Sequence, residues 1–350
     1  MSSSSRYDGL EHDLEEILET SGDDLAAFRG ARILVTGGTG FVGTWVLHSA
    51  LYANARRDAR MRLDVLTRDP VAYETRHPDI VNDPAVTLAP GDVRNLCALQ
   101  ANYDAIVHAA TPASAAINDE RPGTMLETIV SGGEAVLDLA ARCGKVPLLF
   151  TSSGAVYGPQ PASIDAISES DRIGPDPADA AYAYHEGKRV GEMQCAIAVR
   201  SGVRARIARL FAFAAPYLPL DRHFAVGNFI RDALAGGPVQ VAGDGTPLRT
   251  YLYGTDMTSW LWAIFARGED ARPYNVGGEE PVSIVDLAAR VARSAGIDGA
   301  VHVARAAIPG AGVHRYVPSC ERIRAELGVV ARVGLDEAIA RTIRWHRETR

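Results

Sequence analysis

The 350-residue chain has only four cysteines, Cys97, Cys143, Cys195 and Cys320. They are far apart, with no Cys-x-x-Cys pair and no disulfide-like spacing, so a reduced, cytoplasmic setting is the simple expectation. No apolar run is long enough to span a membrane. The opening stretch, MSSSSRYDGLEHDLEEILE, is polar and acidic and lacks the apolar core of a secretory signal. Positive charge is not in excess. The formal net charge of -7 argues against a nucleic acid or an anionic membrane as partner. Internal repeats are absent, as is low complexity beyond the first serines. What remains is ordinary globular composition, 47% hydrophobic and 23% charged, enough for one large α/β unit or two lobes.

Residues 1–30 form an N-terminal extension in this reading, with residues 1–9 expected to be disordered. Leu10, Leu14, Ile17, Leu18 and Leu25 recur with a helical period, predicting a short amphipathic helix laid on the body as packing. Strands are expected at Ile33–Val35, Leu63–Leu66, Val86–Leu88, Ala105–His108, Val146–Thr151 and Ala205–Leu210. Helices are expected at Phe41–Ala53, Met125–Arg142 and Tyr182–Ser201. That alternation predicts an α/β fold, a Rossmann-type doubly wound parallel sheet, over residues 31–212. Beyond it, Pro216, Pro219, Gly236-Gly237-Pro238 and Gly243-Asp244-Gly245 punctuate shorter elements. A segment near 251–275, with a helix at Asp256–Ala266, is expected to return to the sheet. Residues 213–250 and 276–350 are assigned to a smaller mixed lobe with helices near 283–295, 319–327 and 335–348.

The stretch VTGGTGFVG places Gly37, Gly40 and Gly43 at G-x-x-G-x-x-G spacing between a strand and a helix. The first glycine allows a tight turn, the second lets backbone approach a pyrophosphate, and the third lets helix and strand pack closely. The helix start at Phe41 and Val42 then turns its N–H groups to the phosphates. The second strand ends at Leu66-Thr67-Arg68-Asp69. With Thr67 at the position that normally carries an acid for the ribose hydroxyls of NAD, Arg68 stands beside it and favours NADP. A register shift of one or two residues would bring in Asp69 and reverse this, and Arg68 could equally be a solvated charge. Asp92, with Val93, follows the third strand and can accept from an adenine amine. Ala109 and Ala110 end the fourth strand and let a cofactor lie against backbone. His108 is expected to be a packed strand-end residue rather than a base.

TSSGAVYG at 151–158 follows the fifth strand, and Tyr184 and Lys188 form Y-x-x-x-K on the next helix, one face apart by four residues. An ammonium beside a phenol lowers its pKa and makes it a base for a sugar hydroxyl. With these marks the chain resembles the extended short-chain dehydrogenases/reductases, specifically the NAD-dependent epimerase/dehydratase group acting on nucleotide sugars. The resemblance runs from about Ala31 to near the C-terminus, through TGGTGFVG, GDV at 91–93, HAAT at 108–111, TSSGAVYG, YHEGK at 184–188, GDGTPLRTYLYGTD at 243–256 and YNVGG at 274–278.

The resemblance implies NAD as cofactor, with NADP open, a nucleotide-diphosphate sugar as substrate, no metal, and a homodimer through the two long helices. It makes the smaller lobe the substrate-binding one. Ser153 would hold the reacting sugar oxygen, Tyr184 take its proton, and Lys188 tune Tyr184 and bind cofactor ribose. Arg249 would grip the substrate diphosphate, with Arg315 as a second clamp. Three departures stand out. Gly154 and Ala155 occupy the places of the dehydratases' Asp-Glu pair, and decarboxylases tend to carry glutamate at Ala155. Ala212 stands where the family has a substrate-contacting asparagine, and Thr128 where it often has an amide. The leading expectation is therefore an NAD(P)-dependent nucleotide-sugar epimerase, at C4 through a transient 4-keto intermediate. An NADP-dependent keto-sugar reductase is next, then a 4,6-dehydratase with acids from elsewhere. A non-catalytic dinucleotide sensor has little need of the Ser-Tyr-Lys set.

Overall fold

A computed structural model describes residues 7, 9–100, 102–111, 115–221, 224–297, 301–308, 310 and 312–349. The chain divides into two compact units. The first comprises Met1–Val156, Asp176–Arg209 and Thr258–Tyr274, the second Tyr157–Pro175, Leu210–Met257 and Asn275–Arg350.

The first unit is built on strands β1 (Arg32–Thr36), β2 (Arg62–Thr67), β3 (Val86–Pro90), β4 (Ala105–His108), β5 (Pro147–Ser153) and β6 (Arg204–Leu210). With the strand Pro273–Val276 at one edge they form a seven-stranded sheet, ordered from that edge β6-β5-β4-β1-β2-β3. The β1–β2, β2–β3, β1–β4 and β4–β5 pairs are parallel. The strand order reverses between β1 and β4, where open α/β sheets place their ligands. β1 and β4 are near-continuous apolar runs, as strands covered on both faces must be. Helix α2 (Phe41–Arg57) follows β1, and every residue from Gly43 to Ala53 is buried.

The N-terminal segment forms helix α1 (Glu11–Ala26), which buries Leu14, Ile17, Leu18 and Leu25. It is held within the first unit by Thr20 to Ser259 (2.8 Å) and by Asp24 to Arg267 (2.6 Å). Just beyond it, Phe28 stacks on Phe265, ring centroids 4.3 Å apart. Disorder over 1–9 does not hold at Tyr7, which is buried edge-on against Tyr52. Residues 1–6 and 8 lie outside the described residues. A further short helix, α3 (Pro70–Arg76), follows β2, with Pro70 in its first turn and Asp69 as its cap.

The second unit has small sheets. Leu248–Arg249 lies between Val282–Ser283 and Arg315–Tyr316. Val239–Val241 pairs with Val301–Val303, and Phe213–Ala214 with Leu252–Tyr253. Its helices include Ala225–Leu234, Ile284–Ala295, Glu321–Leu327 and Leu335–Glu348. The Ser283 side chain caps the second of these.

Candidate active site

The turn between β1 and α2 lies at the carboxyl end of the sheet. Gly37 has φ +72, and a Cβ there would sit 2.4 Å from the Ala109 carbonyl carbon and oxygen. A Cβ on Gly43 would sit 2.4 Å from the Gly37 oxygen. Backbone therefore packs on backbone at both places, and a side chain would push β4 or the turn away. Gly40 differs. It is the N-cap of α2 with no side chain capping the helix, and a Cβ there would meet only the Gly37 oxygen at 3.4 Å.

The turn opens on a cavity of about 330 Å³ that Gly37, Gly40, Thr67, Arg68, Asp92, Val93, Ala109 and Ala110 help to line. An uncapped helix start facing a cavity, with an unobstructed glycine at its lip, suits a pyrophosphate. At the β2 end, Asp69 does not line the cavity. Its carboxylate accepts from the Ala72 N–H at 2.9 Å and caps α3. Thr67 and Arg68 line the cavity at this end of β2. Asp92 lines the cavity but is gripped by Arg94, with Nε and Nη2 both at 2.9 Å. That pair holds the Asp92 carboxyl below its usual range. Arg94 had no place in the sequence reading, although it stands two residues after Asp92.

The helix Ala183–Arg200 carries Tyr184 and Lys188 onto β5. It comes close because Gly191 faces Phe150, whose Cζ would be 2.4 Å from any Cβ. β5 runs two residues past its expected end, so Ser153 is its last residue and Gly154–Tyr157 turns as a 3-10 helix. Ser153 is hydrogen-bonded to Tyr184, and its Oγ accepts from the Ala155 N–H at 3.1 Å. Lys188 is buried and donates to Thr111 Oγ1 and to the Thr151 carbonyl, both at 2.7 Å. Burial pulls its pKa down to about 7, against the opposing pull of Glu192 and Cys195. Ser152 donates to Glu192 at 2.6 Å, and Arg209 holds Glu192 with two arms at 2.9 and 2.6 Å.

One electrostatic expectation is corrected. The Tyr184 phenol is not lowered by Lys188. Burial raises it, and the hydrogen bond to Ser153 opposes that rise. The ammonium lies 6.0 Å from the Tyr184 ring centroid and is engaged by Thr111 and Thr151. His108 is packed as expected: its Nδ1 lies 2.8 Å from Thr36 Oγ1, and burial first, then Lys188, pushes its pKa down to about 3. Thr111, Glu192 and Arg209 are further participants. Glu192 stands four residues after Lys188 on the same helix, a spacing that could have marked it.

In the second unit, Arg249 donates to the Leu248 carbonyl at 2.8 Å, and its guanidinium lies 6.0 Å from the Tyr316 ring centroid. Arg249 registers with Tyr316, whereas Arg315 registers with Leu248, so the two arginines alternate onto opposite faces of the small sheet. Arg315 is in an ion pair with Asp165. The two do not form one clamp in this structure. Ala212 takes part through its carbonyl, which accepts from Leu252 N–H at 3.0 Å. Thr128 lines the cavity while its hydroxyl donates to the Thr124 carbonyl at 2.7 Å. Among the described residues no helix is long and apolar enough to cross a membrane, and no group of three or more His, Cys, Asp or Glu could hold a metal ion.

A doubly wound sheet, a glycine turn at its switch point and a Ser-Tyr-Lys set define the extended short-chain dehydrogenase/reductase class. The sequence profile of the NAD dependent epimerase/dehydratase family matches residues 33–277, and the chain belongs to that family. It is 29% identical to a dTDP-glucose 4,6-dehydratase of Streptomyces antibioticus over 91% of this chain and 93% of that one. It is 31% identical to UDP-glucuronic acid decarboxylase 5 of Arabidopsis thaliana over 74% of this chain and 73% of the relative. Among solved structures, the dTDP-glucose 4,6-dehydratase of Streptomyces venezuelae with NAD bound superposes with a TM-score of 0.77 at 27% identity, covering 91% of this chain and 97% of that one. UDP-glucose 4-epimerase of Thermotoga maritima shares the fold, with a TM-score of 0.76 at 22% identity over 91% of this chain and 99% of that one.

Proposed function

We propose that this enzyme is an NAD(P)-dependent nucleotide-sugar epimerase working at C4 through a transient 4-keto sugar. The observation that carries the reading is the pairing of the buried Ser153 with the half-buried Tyr184 beside Gly154 and Ala155, which hold neither acid nor base. Gly37, Gly40, Phe41, Val42 and Gly43 would hold the dinucleotide pyrophosphate. Arg68, Asp92 and Val93 would hold its adenosine end, and Ala109, Ala110 and Lys188 the nicotinamide ribose. The NAD in the solved S. venezuelae relative supports the same cofactor core. A bound oxidised nicotinamide would supply a reversible hydride acceptor for the sugar carbon and a positive charge near the phenol.

Ser153 Oγ would hold the reacting sugar oxygen. Tyr184 would take the hydroxyl proton and later give it back. Burial keeps the phenol protonated in the free enzyme, so its activation waits for the charge of the ternary complex. Arg249, without a carboxylate partner in its hydrogen bonds, would grip the substrate diphosphate. Arg315 would join only if Asp165 gave way. A homodimer is supported by an apolar stripe on the long helices: Val190, Met193 and Ile197 on one and Leu126 on the other are exposed.

A 4,6-dehydratase is the second reading, supported by the S. antibioticus relative. Against it stands the missing acid pair. A keto-sugar reductase needs the same residues one way. Incubation with candidate nucleotide sugars and their keto forms, followed at the nicotinamide absorbance, tests the proposal. Turnover without net NADPH consumption and without a change in sugar mass supports epimerisation. Stoichiometric consumption supports reduction and contradicts it.

A further inference from the structure

We propose that Glu192 is a positioning residue with two tasks. With Arg209 it ties down the strand end that carries Ser153, and its carboxylate is the anion that keeps the Lys188 ammonium charged. The inference rests on the reading of Ser153, Tyr184 and Lys188 as the reacting set, and deepens it.

Strand β5 ends on Ser152 and Ser153. Ser153 pairs with Tyr184, while the buried Ser152 donates to Glu192 Oε1 at 2.6 Å. Arg209, near the end of β6, grips both oxygens of Glu192, Nε to Oε1 at 2.9 Å and Nη2 to Oε2 at 2.6 Å. The two side chains of this pair are each only 13% exposed, so salt screens it little. A forked pair fixes direction as well as distance. One carboxylate thus joins β5, β6 and the tyrosine helix, one residue away from Ser153.

Glu192 also stands one helical turn from Lys188. The hydrogen bonds of Lys188 go to the Thr111 hydroxyl and the Thr151 carbonyl, neither of them charged. From β5 the Phe150 ring faces the ammonium, its centroid 5.3 Å away. The titratable neighbours are His108 on β4 and Tyr184, Glu192 and Cys195 on its own helix. Burial pushes His108 down to about 3 and raises the Tyr184 phenol and the Cys195 thiol, so these three are neutral near pH 7. Among the described residues Glu192 is the carboxylate left to oppose the pull of burial on Lys188. Arg209 limits that support, because the same carboxylate neutralises its guanidinium.

Lys145 is the only other lysine in the chain. Protein labelled with carbon-13 at lysine Cε therefore gives two resonances, and Lys188 can be titrated directly by NMR in nucleotide-free enzyme. It should titrate near pH 7 in the parent. Glu192→Gln keeps an acceptor for Ser152 but loses the charge, and the proton affinity of Lys188 should fall at least about threefold. Glu192→Asp should restore the parental titration. Ser152→Ala leaves the charge and cuts the tie to the strand. It should keep the Lys188 titration within about twofold while kcat falls at least about tenfold, as for a displaced reacting group, with KM for the nucleotide sugar within about threefold. Melting curves show that each variant is folded. An unmoved Lys188 titration in Glu192→Gln, or an unchanged kcat in Ser152→Ala, overturns the proposal. Parent enzyme that turns over no nucleotide sugar overturns the underlying reading instead, and the NMR titration still decides the charge of Lys188.

Discussion

Alanine at Gly43 and alanine at Gly40 should fail in different ways, although both glycines belong to one turn. At Gly43 the added Cβ would lie 2.4 Å from the Gly37 oxygen, 2.5 Å from Gly38 Cα and 2.9 Å from the Gly37 carbonyl carbon. All three are backbone atoms, so no flexible side chain can yield. Overpacking of this kind costs about 1–3 kcal/mol, and a wholly backbone clash belongs near the upper end. About 3 kcal/mol lowers the melting temperature by about 6–12 °C in a unit of this size. At Gly40 the backbone is ordinary (φ -97) and the only neighbour is the Gly37 oxygen at 3.4 Å. The cost there is about 1 kcal/mol for a poorer helix cap, a fall of about 2–4 °C. The Gly40 methyl, however, occupies the lip where pyrophosphate would approach. Calorimetric melting combined with dinucleotide titration separates the two effects. Gly40→Ala should melt near the parent and bind at least about tenfold more weakly. Unchanged binding in Gly40→Ala, or parental stability in Gly43→Ala, would refute the division of labour.

Tyr184→Phe should retain dinucleotide binding while turnover falls by about 100- to 10,000-fold, as for loss of a general base; stopped-assay kinetics on both forms check it. Lys188, held at about 7 against its ordinary 10.5, binds fewer protons folded than unfolded between those values. The cost of burying its ammonium is fully present below about pH 7, and nucleotide-free protein should gain stability from Lys188 as pH rises from about 7 towards 10.5. Lys188→Met should lose that part of the pH dependence in melting curves. Leu14→Ala should destabilise the first unit by about 2–5 kcal/mol by denaturant titration, since Leu14 has no exposed surface and α1 is part of the core. Met193→Lys with Ile197→Glu, at positions 62% and 59% exposed, should convert a dimer to monomers in sedimentation without loss of fold.

The sheet was legible because its signals are local. Short apolar strands, the Gly37-Gly40-Gly43 turn and the alternation with helices each lie within a few tens of residues. Ser153, Tyr184 and Lys188 could be found by spacing, and Lys188 is one of only two lysines in the chain. What escaped depends on distant partners. Lys188 meets Thr111, 77 residues away, and Arg315 meets Asp165, 150 residues away. Glu192, Arg209 and Ser152 come together only once β5, β6 and the tyrosine helix have packed. The raised Tyr184 phenol has the same origin, since desolvation is a property of the assembled site. α3 was missed because it is only seven residues long, and its start rests on one cap and one proline.

The central claim is that the enzyme inverts a sugar carbon without removing anything from the sugar. Its most direct test is mass spectrometry and proton NMR of the products formed from UDP- and dTDP-hexoses with catalytic dinucleotide. The account predicts a product of unchanged mass, with the C4 configuration equilibrated between epimers. A product lighter by one water, or by one carbon dioxide from a hexuronate, would contradict it and place the enzyme with the dehydratases or decarboxylases.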